Sequence, residues 1–335
     1  MKKDTIPRSL IILGIIFIAS IGFNTNSPIL ILISVSIISL FIVIKSSDYL
    51  VTSISHYGLV TGLPNYLMGL FILAIGTSLP DLSTGIIASI ANHGSIIIGD
   101  VFGASILAMT ILLGSIILFS KSIKIDEGIK NTTLWIPMLV TLPIILAFDG
   151  ILSKIDGVLL LIAFIGYIFF SIQESTGKKT IKKDVKIQDI WKDMAIFLGT
   201  LVTLLLGTRW LIFSTIYIAK EMNVSLFIIS LIFISFGTTV PELSVSIKSA
   251  KKNEAKLALG NILGSMAINS TFILGFASLI NPIIIESQHT FLVSSFFVIA
   301  LTLIGTFIIN RKKISKNYAY LLFALYAVFL LSQIL

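Results

Sequence analysis

The 335 residues contain no cysteine, which excludes disulfides and thiolate metal sites. Only three histidines are present, too few for an imidazole-rich metal centre. Charged residues make up 12% of the chain, against about 25% in an ordinary soluble domain. So few charges cannot cover a water-facing surface of this size, and a soluble enzyme is excluded. A disordered chain is excluded as well, because 56% of the residues are hydrophobic and the mean hydropathy is +1.04. Strict alternation over ten-residue stretches is also missing, which argues against a lipid-embedded barrel.

Long apolar runs are what the sequence has. They lie near 9–23, 28–45, 65–91, 96–119, 133–148, 155–172, 191–218, 225–248, 257–281, 289–309 and 317–334. Each is near the roughly 20 residues that a helix needs to cross a bilayer. The fold class read from this pattern is an all-α polytopic membrane protein of about 11 transmembrane helices. The first run, with Lys2, Lys3 and Arg8 ahead of it, reads as an extra N-terminal helix or as a signal-like segment.

The net charge of +8 is explained by membrane orientation, with no nucleic-acid partner implied. Lys2, Lys3 and Arg8 begin one set of loops. Lys121, Lys124 and Lys130 continue it, then Lys178, Lys179, Lys182, Lys183 and Lys186. Lys251, Lys252, Lys256, Arg311, Lys312, Lys313 and Lys316 complete it. The alternate loops hold little beyond Lys154 and Lys220. Positive charge stays inside, so the expected protein is a multi-pass plasma-membrane protein with a cytoplasmic N-terminus and an external C-terminus.

The chain repeats itself. GTSLPDLS around position 76 returns as GTTVPELS around 237, and GDVFGAS at 99 returns as GNILGSM at 260. Asp81 and Glu242 are 161 residues apart, and the same offset relates Pro80 to Pro241, Gly99 to Gly260, Gly103 to Gly264 and Gly114 to Gly275 without a gap. The expected organisation is an N-terminal segment 1–27, a first five-helix repeat 28–172, a basic linker 173–188 and a second five-helix repeat 189–335. An odd number of helices per repeat forces the second to insert upside down. That is the inverted-topology duplication of many secondary transporters, whose ion site lies where the repeats meet.

The first motif carries the chemistry. Asp81 sits deep in an apolar run, where a carboxylate costs about 3 kcal/mol or more. Pro80 has no N–H for the carbonyl of Gly76, so the helix should open beside the acid. Free carbonyls and a carboxylate are hard oxygen ligands, suited to Ca²⁺ or Na⁺. Gly237, Thr238, Pro241 and Glu242 repeat the arrangement, and two facing half-sites make a cage for one divalent ion. A plain proline bend would account for one motif, but not for an acid after the proline in both. In the second motif the Gly-xxx-Gly pairs bring helix backbones together. Asn261, Ser265 and Asn269 then form one polar stripe along a helix face. The first copy has Asp100, Ala104 and Ala108 there. Asp100 reads equally as an ion ligand, a proton carrier or a helix cap.

Other polar residues read as structural. Lys45, Asp48 and Arg209 lie near span ends and reach the interface, with Asp48 and Arg209 a candidate structural pair. His93 and His289 fall at span ends. Trp135, Trp191 and Trp210 are interface anchors. There is no HExxH, no DDxxD cluster and no Ser/His dyad within the spans, so an intramembrane enzyme is not expected. A single chain with a closed ion cage also argues against a channel.

The paired motifs GTSLPD…GD…GAS and GTTVPE…GN…GSM resemble the two α-repeats of the sodium/calcium exchanger family. The resemblance implies ten helices in two inverted halves and a secondary active antiporter exchanging Ca²⁺ for Na⁺, with no cofactor. It implies Asp81 and Glu242 as the Ca²⁺ carboxylates, with Thr77 and Thr238 giving carbonyls. Ala74, Ser78, Ser235, Thr239, Ser265 and Asn269 fall where the family lines its Na⁺ sites. The chain departs from the family pattern at five positions. Asp81 stands where Glu is usual and Asp100 where Asn is usual. Ala104 and Ala108 replace Ser and Asn, and Asn269 replaces the Asp of many members. An H⁺/Ca²⁺ exchanger, an exchanger of another divalent ion, and a degenerate non-transporting homologue are the alternatives. The expected partners are the lipid bilayer and the ions Ca²⁺ and Na⁺, with H⁺ a further coupling ion; a monomer suffices. The helices 28–60 and 191–218 are expected to slide against a core of 65–119 and 225–281.

Overall fold

A computed structural model describes residues 28–60, 65–120, 123, 125, 127–174, 187–311 and 314–334. The expected span 9–23 lies outside the described residues. The first half comprises α1 (Pro28–Val60), α2 (65–77), α3 (Leu79–Ile90), α4 (Gly94–Phe119), α5 (Glu127–Leu146) and α6 (Lys154–Glu174). The second half comprises α7 (Ile187–Met222), α8 (Leu226–Lys251), α9 (Ala255–Ile280), α10 (Gln288–Ile309) and α11 (Asn317–Ile334). Among the described residues eight helices are long and apolar enough to cross a membrane, and α2 and α3 form a ninth span bent by 48°. The shorter apolar α11 completes five spans per half. A two-residue ladder, β1 (Ile151–Leu152) antiparallel to β2 (Ile283–Ile284), ties two loops together.

The offset of 161 carries over from letters to shape. It maps 65–90 onto 226–251 and 94–119 onto 255–280. Asn92 and Asn253, which it also relates, both turn the chain with φ of 62°. Asparagine tolerates this left-handed conformation better than most residues. Each such turn is closed by the same bonds, from His93 N–H to the Ala88 carbonyl and from Glu254 N–H to the Ser249 carbonyl, both 2.9 Å.

Burial separates the helices into a centre and a wrapping. In α4 and α9, 89% and 83% of the spanning window is buried, against 28% in α1 and 22% in α6. α4 and α9 therefore need no polar face, and their exposed neighbours present Leu, Ile and Phe to lipid. The central helices cross the opposite half, and glycine makes the crossings close. A Cβ on Gly99 would lie 2.5 Å from the Phe227 carbonyl, and one on Gly260 would lie 2.3 Å from the Tyr66 carbonyl. A Cβ on Gly103 would fall 2.1 Å from the Leu231 carbonyl, and one on Gly264 would fall 2.2 Å from the Leu70 carbonyl. Each contact is the other's image under the repeat offset. The packing role expected of the Gly-xxx-Gly pairs is thus what the structure contains.

α1 and α7 pack along each other. Val43 and Leu204, themselves repeat equivalents, form a small apolar cluster with Leu79 and Leu201, apart from the main core.

Candidate functional site

The twelve residues expected to line a site are brought together by α2, α3, α4, α8 and α9. All are buried, between 0% and 2% exposed. The two halves reach across to each other through matched bonds. Thr77 Oγ1 donates to Asn261 Oδ1 at 3.2 Å, and Thr238 Oγ1 donates to Asp100 Oδ1 at 3.0 Å. Both threonines are also 3.2–3.3 Å from the carbonyl three residues back, Ala74 and Ser235 respectively. Thr77 Oγ1 also lies 3.4 Å from Ser265 Oγ.

The carboxylates differ in their partners. Asn269 Nδ2 donates to Asp81 Oδ2 at 2.8 Å. The position equivalent to Asn269 is Ala108, which has no donor for Glu242. Glu242 Oε1 instead accepts from Ser78 Oγ at 3.3 Å. Asp81 Oδ1, Asn269 Oδ1, Asn261 Nδ2 and Thr239 Oγ1 are buried with no hydrogen-bond partner in the protein. Orphaned buried polar atoms are expensive. Eleven hydroxyls are orphaned elsewhere among the described residues, but the orphaned carboxylate and amide atoms are all here, which marks a place built for something that supplies the missing interactions. Asp81, Asp100 and Glu242 are the only buried charged side chains among the described residues, and they lie within electrostatic reach of one another. No three Asp, Glu, His or Cys side chains there converge tightly enough to hold one metal ion together. The donor set is therefore two or three carboxylates diluted by hydroxyls and amides, all hard oxygen ligands apart from the amide nitrogens.

The proline motif behaves differently in its two copies. Ser78 leaves helical geometry (φ −86°, ψ 3°), and α2 and α3 break beside Asp81. α8 runs through Pro241 without a break, so the expected second opening is not there. Ser235 Oγ donates to the Leu231 carbonyl at 2.6 Å, a bond its equivalent Ala74 cannot make. The Leu231 carbonyl is one that the π turn frees, since the Ser235 N–H bonds to Ser230 instead; the carbonyl that Pro241 leaves without its N–H is that of Gly237.

Four π-helical turns escaped the reading of the sequence. They span Met68–Leu73 and Ser230–Ile234, which directly precede Ala74 and Ser235, and Ala108–Leu112 and Ile268–Ile273, the second of which contains Asn269. Thr110 and Thr271, again 161 apart, each donate to the carbonyl four residues back, Ile106 and Ala267. That repeated threonine was the one signal in the sequence. Single π turns rotate the residues after them and often occur at functional sites.

The other polar residues stay away from the site. His93 and His289 sit at the starts of α4 and α10. Trp135 packs against Phe170 and Trp210 against Phe213, with ring centroids 4.9 and 5.6 Å apart. Lys45 lies over the Phe41 ring at 5.8 Å. Arg209 is exposed; the side chains of Asp48 and Trp191 lie outside the described residues.

The profile of the sodium/calcium exchanger protein family matches twice, over residues 31–173 and 192–335. The uncharacterized membrane protein MJ0091 of Methanocaldococcus jannaschii is 28% identical over 229 residues, covering 68% of this chain and 75% of its own. The sodium/calcium exchanger MaX1 of Methanosarcina acetivorans is 24% identical, covering 88% of this chain and 96% of its own. A solved structure of the sodium–calcium exchanger NCX_Mj, soaked with Na⁺ and without Ca²⁺, superimposes with a TM-score of 0.68 at 26% identity, covering 91% of this chain and 99% of that one. The chain is a multi-pass membrane protein belonging to the sodium/calcium exchanger protein family.

Proposed function

We propose that this protein exchanges Ca²⁺ for Na⁺ across the plasma membrane by alternating access. The observation that carries the reading is the reciprocal pair of bonds Thr77–Asn261 and Thr238–Asp100, around carboxylates with unsatisfied oxygens. In this reading Asp81 and Glu242 bind Ca²⁺ with the carbonyls of Thr77 and Thr238. Ala74, Ser78, Ser235, Thr239, Asn261, Ser265 and Asn269 surround the ions, and Asp100 adds a carboxylate. The functional units are repeats 28–172 and 189–335, joined by the basic linker 173–188 and preceded by 1–27. Lysine distribution supports a cytoplasmic N-terminus and an external C-terminus. Both half-sites come from one chain, so a monomer is a complete transporter.

Alternating access needs one body that moves. The α1/α7 pair, whose Val43–Leu204 cluster lies apart from the main core and meets Leu79 of α3, slides against α2–α4 and α8–α9. Ser83 on α3 and Thr208 on α7 are 2.7 Å apart across that boundary. Since the chain has no cysteine, a Ser83→Cys/Thr208→Cys pair forms a unique cross-link. Cross-linking is expected to stop transport and reduction to restore it; unimpaired transport by the cross-linked protein would refute the sliding.

A second reading is exchange of a divalent ion for H⁺. It is favoured by Ala104 and Ala108, which remove two side-chain ligands from the first half. Ca²⁺ uptake into proteoliposomes, with an outward Na⁺ gradient in one set and an outward H⁺ gradient in another, separates the two. Uptake driven by Na⁺ alone is expected. Uptake driven by H⁺ alone would establish the second reading, and uptake under neither would point to a non-transporting homologue.

A further inference from the structure

We propose that the protein binds a small zwitterion, an α-amino acid with a short apolar side chain, in a cavity away from the buried carboxylates. The inference stands apart from the exchange reading, because none of the twelve residues discussed above lines this cavity. The cavity holds about 110 Å³ and lies where three helices begin. Ser95 and Ile98 come from the start of α4, Ser225 and Phe227 from the start of α8, and Ser287 and Phe291 from the start of α10. Ile98, Phe227 and Phe291 are buried and form an apolar floor. Phe102 stands behind both rings, with centroids 6.2 and 5.6 Å away. Glu286 is an exposed part of the lining, and among the described residues no Lys, Arg or His joins it there.

The polar groups ask for both charges at once. Helix N-termini carry partial positive charge and favour an oxyanion, and three of them border this space. Ser225 Oγ already accepts from the N–H groups of Phe227 and Ile228, at 3.2 and 3.5 Å, so its own O–H is left to donate. α4 begins without a side-chain cap, and the Ser95 hydroxyl in its first turn is buried with no partner. These groups suit a carboxylate, whereas Glu286 suits an ammonium. A simple anion would meet the charge of Glu286, and a simple cation would meet the helix ends. A zwitterion satisfies both. The apolar floor takes the carbon atoms, and the volume limits the enclosed part to about five non-hydrogen atoms. The other half shows what is missing here. The offset of 161 takes Ser95 to Lys256 and Phe227 to Tyr66. Lys256 brings an ammonium of its own, and the Tyr66 hydroxyl pairs with Thr132 Oγ1. At the cavity Ser95 has no charge and Phe227 no hydroxyl, and the ligand supplies the ammonium that Ser95 does not.

The test is equilibrium binding of tritiated L-alanine to the purified full chain in detergent. Saturable, stoichiometric binding is expected. Glu286→Gln is expected to weaken it about 10-fold and Ser95→Ala about 5-fold. Ser95→Lys, which copies the second half, is expected to abolish it. Glu286 is exposed, so its substitution leaves the packing intact and guards against simple misfolding. Propionate and ethylamine, which each keep one of the two charges, are expected to compete poorly, and phenylalanine is expected to be too large. An absence of saturable binding overturns the inference, and so does equal binding by wild type and Glu286→Gln. Propionate that competes as well as alanine, with tighter binding in Glu286→Gln, assigns the cavity to a simple anion and overturns it too. The last arm repeats the measurement in vesicles. Loss of alanine binding with phosphatidylethanolamine but not with phosphatidylglycerol assigns the same chemistry to a lipid headgroup and overturns the amino acid as ligand. None of these results bears on Ca²⁺ exchange.

Discussion

The two halves of this protein share their helices, turns and crossings but not their ion-facing chemistry. The second half supplies Asn261, Ser265 and Asn269 along α9; the first supplies Asp100 and two alanines along α4. The difference is confined to side chains: Gly99 and Gly103 pack as Gly260 and Gly264 do. A scaffold fixed by backbone contacts leaves its polar positions free to diverge. Consequently each carboxylate has a different keeper. Asp81 has the amide of Asn269 at 2.8 Å beside the hydroxyl of Thr238, and Glu242 has hydroxyls alone, Ser78 at 3.3 Å and Ser265.

Removing both carboxylates erases the comparison. Asp81→Asn with Glu242→Gln is expected to abolish Ca²⁺-dependent thermal stabilisation and to reduce transport by at least ~100-fold, since a lost buried charge partner costs about 3–5 kcal/mol. An unchanged melting shift would refute the site. The scaffold should respond equally from either side. Gly103→Ala and Gly264→Ala each press a methyl into a carbonyl from the opposite half, and each is expected to destabilise by about 1–3 kcal/mol. Thermal unfolding in detergent checks this; unequal losses would show that the crossings are not equivalent.

Asn269→Ala makes the second half imitate the first. It takes the amide donor from Asp81 and leaves only the Thr238 hydroxyl beside it, a loss of about 1.5–3 kcal/mol for a hydrogen bond to a charged group, and is expected to weaken Ca²⁺ binding about 10-fold. Unchanged affinity in a binding titration would mean that this amide does not position Asp81. Ala108→Asn runs the other way. It offers Glu242 the missing amide, and about 1 kcal/mol of hydrogen bonding gives up to ~5-fold tighter Na⁺ binding, less whatever the added volume costs. Weaker Na⁺ binding would mean that packing outweighs the restored donor.

Much of this was legible in the letters. The duplication, its register and the polar stripe of α9 are patterns of residue identity. The two glycine crossings follow from spacing alone. The unequal response to Pro80 and Pro241 was not legible, because both follow the same Gly-x-x-x-Pro pattern. Ser78 leaves helical geometry where its equivalent Thr239 stays within a continuous helix, and no residue pattern around the two prolines announces that difference. The π turns were hidden for a related reason: one extra residue in a helical turn leaves the apolar run unbroken. Asp100 was visible as a departure, but its partner was not. Thr238 lies 138 residues away and meets it only through the crossing of the halves.

That crossing bears on ancestry. The backbone grooves at Gly99 and Gly103 are filled by α8, and those at Gly260 and Gly264 by α2. One half alone would leave its glycine surface uncovered and its carboxylate short of ligands from the other side. A half-length ancestor with this architecture could have worked only as two copies inserted in opposite directions. Fusing them would have secured one copy of each orientation in every molecule. From then on Ala108 could drift away from Asn269, because the two positions no longer shared one gene segment.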